Sequence, residues 1–144
     1  MWYNAIITAL LRSPLHRMVS SGILLVSYIG HKSGRPFHVP VSYVPDDEEP
    51  NVLWTTSLRT RTWWRNFREE TPVLLRLRGK RRKAMAEAFY EEDDAAEALF
   101  YFLQLKPEFA RHFDVALDEE GEPVEEDVTQ AAKKRIVVRF DLVD

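Results

Sequence analysis

Residues 23–44, ILLVSYIGHKSGRPFHVPVSYV, decide the fold. The opening ILLVSYI is a short apolar run closed by Gly30, which reads as a buried strand. Residues 37–44 alternate, with Phe37, Val39, Val41 and Tyr43 to one side and His38, Pro40 and Ser42 to the other. Pro40 removes a ladder donor, so this second strand belongs at a sheet edge or a bulge. Gly30-His31-Lys32-Ser33-Gly34-Arg35-Pro36 joins the two. Its glycines permit positive φ, so successive N–H groups can converge on an anion, with Ser33 as donor and Lys32 and Arg35 as charges. The plainer reading of the same string is a hairpin turn kept soluble by its cations.

Downstream, residues 45–50 (PDDEEP) make a polar turn and VLWTTS from Val52 a third strand. Ser57 to Thr62 leads into a helix over 60–70 carrying Trp63, Trp64 and Phe67, ended by Thr71-Pro72. That helix start is a second place suited to a phosphate. Residues 73–78 and 82–90 form a hairpin about Gly79-Lys80. Asp93 or Asp94 caps a helix through Ala96, Leu99, Phe100 and Leu103, and Pro107 opens a short helix, EFARHF. Residues 118–127 read as an acidic, solvated insertion before a last strand, RIVVRFDLV. Upstream, Trp2, Ile6, Ile7, Leu10 and Leu11 sit at helical spacing and Ser13-Pro14 restarts a short helix. This makes a helical arm over 1–20 that packs on the domain, or alternatively touches a membrane surface through Trp2, Arg12 and Arg17. Six strand-like runs joined mostly by turns predict a mainly β (α+β) fold, a six-stranded antiparallel split β-barrel with flanking helices.

The chain has 144 residues, one domain's worth (1–144), with 45% hydrophobic residues and no cysteine. Disulfides, thiolate catalysis and cysteine-held metals are excluded, and a reducing cytoplasm suits the chain. No apolar run is long enough to span a bilayer. The net charge of −3 conceals a split: residues 59–83 hold ten Lys/Arg against two Glu, while residues 87–127 hold fifteen Asp/Glu against two Lys/Arg. His16, His31, His38 and His112 lack metal-ligand spacing, and GxSxG, GxGxxG and GxxxxGK[ST] motifs are missing. Arg76, Arg78, Lys80, Arg81, Arg82 and Lys83 suggest a nucleic-acid patch, but no aromatic platform interleaves them, so they read as an exposed hairpin face and no nucleic acid is expected.

Taken together, SPLHRMVS (13–20), residues 24–44 and TTSLRTRTWWRNFREETPVLLRLRGKRRKA (55–84) resemble the deazaflavin-dependent nitroreductase family of the split β-barrel, flavin-reductase superfamily, related to pyridoxamine-phosphate-oxidase-like proteins. The resemblance implies coenzyme F420 as cofactor, with FMN the alternative. It implies that His31, Lys32, Ser33, Gly34 and Arg35 hold a phosphate or acidic tail. It further implies that the turn from Ser57 through Arg59 to Thr62 lines the same cleft, with Trp63 or Trp64 beside the rings. A reduced deazaflavin would then pass a hydride to a quinone- or nitroaromatic-like acceptor, the protein supplying binding and orientation. A non-catalytic carrier of a cofactor or tetrapyrrole is the other reading, and relatives with this barrel often form homodimers. His31 stands where the family usually has arginine, and residues 106–112 lack the tyrosines found near the acceptor pocket of the nitroreductase itself. His112 is the candidate proton donor there.

Overall fold

The computed structural model describes Ile6 and residues 22–143. Apart from Ile6, which is buried, the helical arm expected over 1–20 lies outside the described residues.

The apolar run forms β1 (Ile23–Ile29) and pairs antiparallel with β2 (Pro36–Ser42) from Ile23↔Ser42 to Ile29↔Pro36. Leu24, Val26 and Tyr28 point inward with Val39, Val41 and Tyr43, as the alternation requires. The 37–44 run, expected as one strand, breaks at Tyr43, whose N–H donates to the Gly22 carbonyl (3.1 Å). Val44–Pro45 then makes a separate β3. This adds a seventh strand to the six expected, and the sheet runs β2-β1-β5-β6-β7-β4-β3, built with β4 (Val52–Leu58), β5 (Thr71–Leu77), β6 (Lys80–Phe89) and β7 (Arg135–Leu142). Only Tyr43 separates β2 from β3, yet they occupy opposite edges of the sheet. The sheet must therefore curl until its edges meet, giving a barrel-like mainly β fold with a seam. Pro40 sits on the edge strand β2, where a missing donor costs nothing.

Inside the curl, Ala84, Ala86 and Ala88 of β6 alternate and are buried. Period-two burial overrides the helical propensity of KAMAEAFY. These small side chains leave room for Trp63, Trp64 and Phe67, which plug one end of the barrel from a five-residue 3₁₀ helix (Trp63–Phe67), shorter than the helix expected over 60–70. The β5–β6 turn falls at Arg78-Gly79, both with positive φ, one residue earlier than expected.

A second apolar layer lies outside β4 and β7, where α1 (Glu92–Leu105), a 3₁₀ helix (Pro107–Phe113) and α2 (Glu125–Ala131) bury Leu99, Phe102, Phe113 and Val128 against Trp54 and Val137. Helix α1 starts earlier than predicted: Glu91 occupies the N-cap without a side-chain bond, and Asp93 and Asp94 fall in the first turn, where they complement the helix dipole. The acidic stretch read as an insertion is ordered through a Leu117↔Pro123 bridge and the start of α2.

Candidate functional site

Antiparallel pairing alternates strand direction along β1-β5-β6-β7-β4, so β1 and β4 run the same way and finish at the same end of the barrel. The two turns singled out in the sequence, after Ile29 and after Leu58, therefore meet. His31 N–H donates to Asn66 Oδ1 (2.8 Å), and Asn66 Nδ2 donates to the Trp63 carbonyl (2.9 Å), tying the first turn to the 3₁₀ helix. Between them lies a cleft of about 440 Å³ lined by Tyr28, Gly30, His31, Lys32, Ser33, Phe37, Thr62, Arg65, Asn66 and Arg68. A Cβ on Gly30 would lie 2.6 Å from the Phe37 ring and 2.7 Å from Ser33 Oγ, so any side chain here displaces one of them.

The backbone nest expected in this turn is largely used internally. Gly30 N–H donates to the Arg35 carbonyl (2.7 Å), Gly34 N–H to the Gly30 carbonyl (3.0 Å), and Arg35 N–H to Ser33 Oγ (3.2 Å). The positive charge on this cleft comes from side chains: Lys32, Arg65 and Arg68 line it, with Arg65 and Arg68 resting against the Trp64 ring at 5.6 and 5.8 Å and Arg68 also over Tyr90.

Across the segment 58–62 lies a second cleft, of about 540 Å³, at the seam. β4 pairs with β7 throughout but with β3 only at Leu53 and Trp54, so among the described residues Thr55–Leu58 have no ladder neighbour on the other side. The edge of β2 faces them, joined by Thr55 Oγ1 donating to the Ser42 carbonyl (2.5 Å). The cleft wraps this open edge. Thr55, Ser57 and Trp63 line it along with Arg61, and Phe109, His112, Phe113 and Arg135 close it from the helical layer. Among the described residues this stretch of strand edge is left without a second ladder partner, its backbone groups open to the cleft. Burial raises the pKa of Tyr28 in the first cleft, and the charge of Arg61 in the second partly offsets this.

Among the described residues neither cleft has a carboxylate in its lining, although the chain holds 23 Asp and Glu; three other depressions each include at least one. Two large exposed apolar side chains, Phe37 (44%) and Leu58 (43%), sit at the lips of these clefts.

Of the residues singled out from the sequence, His31, Lys32, Ser33 and Thr62 line the first cleft, and Ser57, Trp63 and His112 the second. Gly34 holds φ +68 and shapes the turn, while Arg35 is exposed and lines neither cleft. Arg59 is committed elsewhere, its Nε and Nη2 donating to the Ala132 carbonyl (2.9 and 2.7 Å), so it anchors the start of β7. Trp63 presents an edge and donates Nε1 to Ser57 Oγ (3.0 Å); Trp64 is core, stacked on Tyr90. Arg65, Asn66 and Arg68 line the first cleft and Arg135 the second without having been singled out from the sequence. The first three were legible as the polar positions between Trp64, Phe67 and the strand that follows, whereas Arg135 is placed only by its register opposite Leu58. Among the described residues no His/Asp/Glu cluster is arranged to hold a metal ion, and no helix is long and apolar enough to cross a membrane.

No protein-family model and no curated protein matches this chain. Solved structures do. One described as a domain-swapped dimer aligns with a TM-score of 0.50 at 15% identity, over 85% of this chain and 82% of its own. A NimC/NimA family protein from Clostridium acetobutylicum aligns at 0.48 and 13% identity, over 83% and 73%. An F420 reductase aligns at 0.43 and 13% identity, over 85% and 86%. At 15% identity the first of these is a likeness of fold alone.

Proposed function

We propose that this chain is a deazaflavin (F420)-dependent oxidoreductase that binds its cofactor across the two clefts, the anionic tail in the first and the ring system in the second. The observation that carries this reading is the meeting of the 30–35 turn with the 57–68 segment around two adjoining clefts whose linings, among the described residues, hold cations and hydroxyls but no carboxylate. That donor set fits a polyanion with a flat head, and it agrees with the family implied by the sequence strings. Lys32, Arg65 and Arg68 bind the tail with charge-assisted bonds, and Thr62 adds a hydroxyl. Ser57, Trp63 and the open edge of β4 orient the ring. When bound, reduced deazaflavin supplies the hydride to an electron-poor acceptor such as a quinone or nitroaromatic. His112, exposed on the cleft wall, is the proton donor to the reduced acceptor in this reading. The exposed Phe37 and Leu58 at the lips suit a second copy of the chain, so a homodimer belongs to this reading. The cysteine-free chain suits the cytoplasm.

Adding coenzyme F420 to the protein and following quenching of its fluorescence tests the reading. Saturable binding in the low-micromolar range is expected; no quenching at tens of micromolar, a free energy of only about −6 kcal/mol, overturns it. A protein that instead purifies yellow and retains FMN moves the assignment to the flavin alternative.

A further inference from the structure

Arg135 opens β7 opposite Leu58, on the outward face of the sheet beneath the helical layer. Its guanidinium carbon lies 4.2 Å from the centre of the Phe113 ring. Phe113 is itself stacked on Phe109 (6.3 Å between centres, 14° between planes) and on Phe102 (6.3 Å, 30°). The guanidinium is thus seated on a rigid aromatic wall rather than waving on a flexible stem.

Arg139, four residues along the same strand, shows what an arginine with a structural job looks like here. It too lies over an aromatic ring, Trp54 at 5.6 Å, but its Nε also pairs with Asp141 Oδ1 at 3.0 Å. Arg135 has no such partner: among the described residues no carboxylate comes within ion-pairing distance of it, and the cleft it lines contains none. Burial lowers the pKa of Arg135, and the charge of neighbouring Asp114 only partly offsets this. A half-buried guanidinium without an ion-pair partner among the described residues, facing a cleft walled by Phe109 and Phe113, suits an anion carried on a flat apolar body.

We infer that Arg135, with the Phe109–Phe113 wall, forms a subsite for a planar aromatic carboxylate. The guanidinium fork matches the two carboxylate oxygens, and the phenylalanine rings take the aromatic body. The subsite lies on the outward side of the β4 edge, whereas Ser57 and Trp63 belong to the inward side. It rests on these residues alone and not on the deazaflavin assignment.

The test uses 2-naphthoate and its neutral isostere 2-naphthamide, titrated calorimetrically into the protein without any coenzyme. Wild type is expected to prefer the carboxylate by about tenfold or more. Arg135→Gln removes that preference while leaving naphthamide affinity within about twofold, and Arg135→Lys, a point charge without the fork, restores part of it. Far-UV circular dichroism confirms that both variants fold. Equal binding of the two probes to wild type, no binding of either, or a preference that survives Arg135→Gln overturns the inference. Because no coenzyme is present, failure here and failure of F420 binding are separate results.

Discussion

Two clusters of cations look alike in the sequence and differ in the fold. Arg76, Arg78, Lys80 and Arg81 lie where β5 turns into β6, and since β5 runs against β1 this tip stands at the opposite end of the barrel from the 30–35 turn. There Arg76 and Arg81 face each other directly across the ladder, on a hairpin tip that lines neither cleft. Lys32, Arg65 and Arg68 instead surround a concavity, two of them held against Trp64. Charge alone attracts anions to both ends. Only a concavity with seated side chains and a carboxylate-free lining can select one.

The largest expected effect breaks or sustains this distinction. Lys32→Ala with Arg65→Ala should weaken coenzyme F420 binding about 100-fold or more, from two lost charge-assisted bonds, while Arg78→Ala with Arg81→Ala changes it less than about twofold. Similar losses from both pairs would show that net charge, not the site, does the binding. Next comes Gly30→Ala, whose methyl must displace the Phe37 ring or Ser33. We expect roughly tenfold weaker F420 binding but a melting temperature within a few degrees of wild type, because Phe37 is exposed and can swing aside. At the other end, Gly79→Ala forces a methyl into positive φ (+79) and should cost about 1 kcal/mol of stability in urea unfolding, with coenzyme affinity unchanged.

A smaller, pH-linked effect lies at the β3–β4 turn. Burial would raise the pKa of Asp46, but hydrogen bonds from Tyr101 Oη (2.5 Å), the Glu49 N–H (2.8 Å), Trp54 Nε1 (3.0 Å) and the Glu48 N–H (3.1 Å) outweigh it and hold the carboxyl at about 2. Because the folded pKa is depressed below the ordinary 3.8, the associated stability is present above that value and fades as pH falls towards 2. After allowance for partial exposure this is about 1 kcal/mol. Acid titration of unfolding should show that loss in wild type and not in Asp46→Asn, and coenzyme binding at neutral pH should be the same in both.

How much of this was legible in the sequence follows from where each signal resides. Strands with one buried face declare themselves by alternation, which is why the inward side of Val39 and Val41 follows from the letters alone. The break at Tyr43 does not, because a strand that leaves one edge and joins the other keeps its alternation. The 3₁₀ plug reads as a longer helix since Trp63, Trp64 and Phe67 satisfy either spacing. For the site, the two turns are recognisable by their glycines and cations, but their meeting depends on the strand order, a long-range property. Arg59 and Arg65 are equivalent as letters; a hydrogen bond to the Ala132 carbonyl and a seat against Trp64 separate them.

If the end of the barrel with the carboxylate-free clefts binds deazaflavin through its anionic tail, removing the tail must remove most of the affinity. Parallel fluorescence titrations with coenzyme F420 and with the same deazaflavin stripped of its phosphodiester tail test this most directly. The intact coenzyme should bind about 100-fold more tightly, and Lys32→Ala with Arg65→Ala should erase the difference. Equal affinity for the two ligands, or a difference untouched by the double substitution, would contradict it.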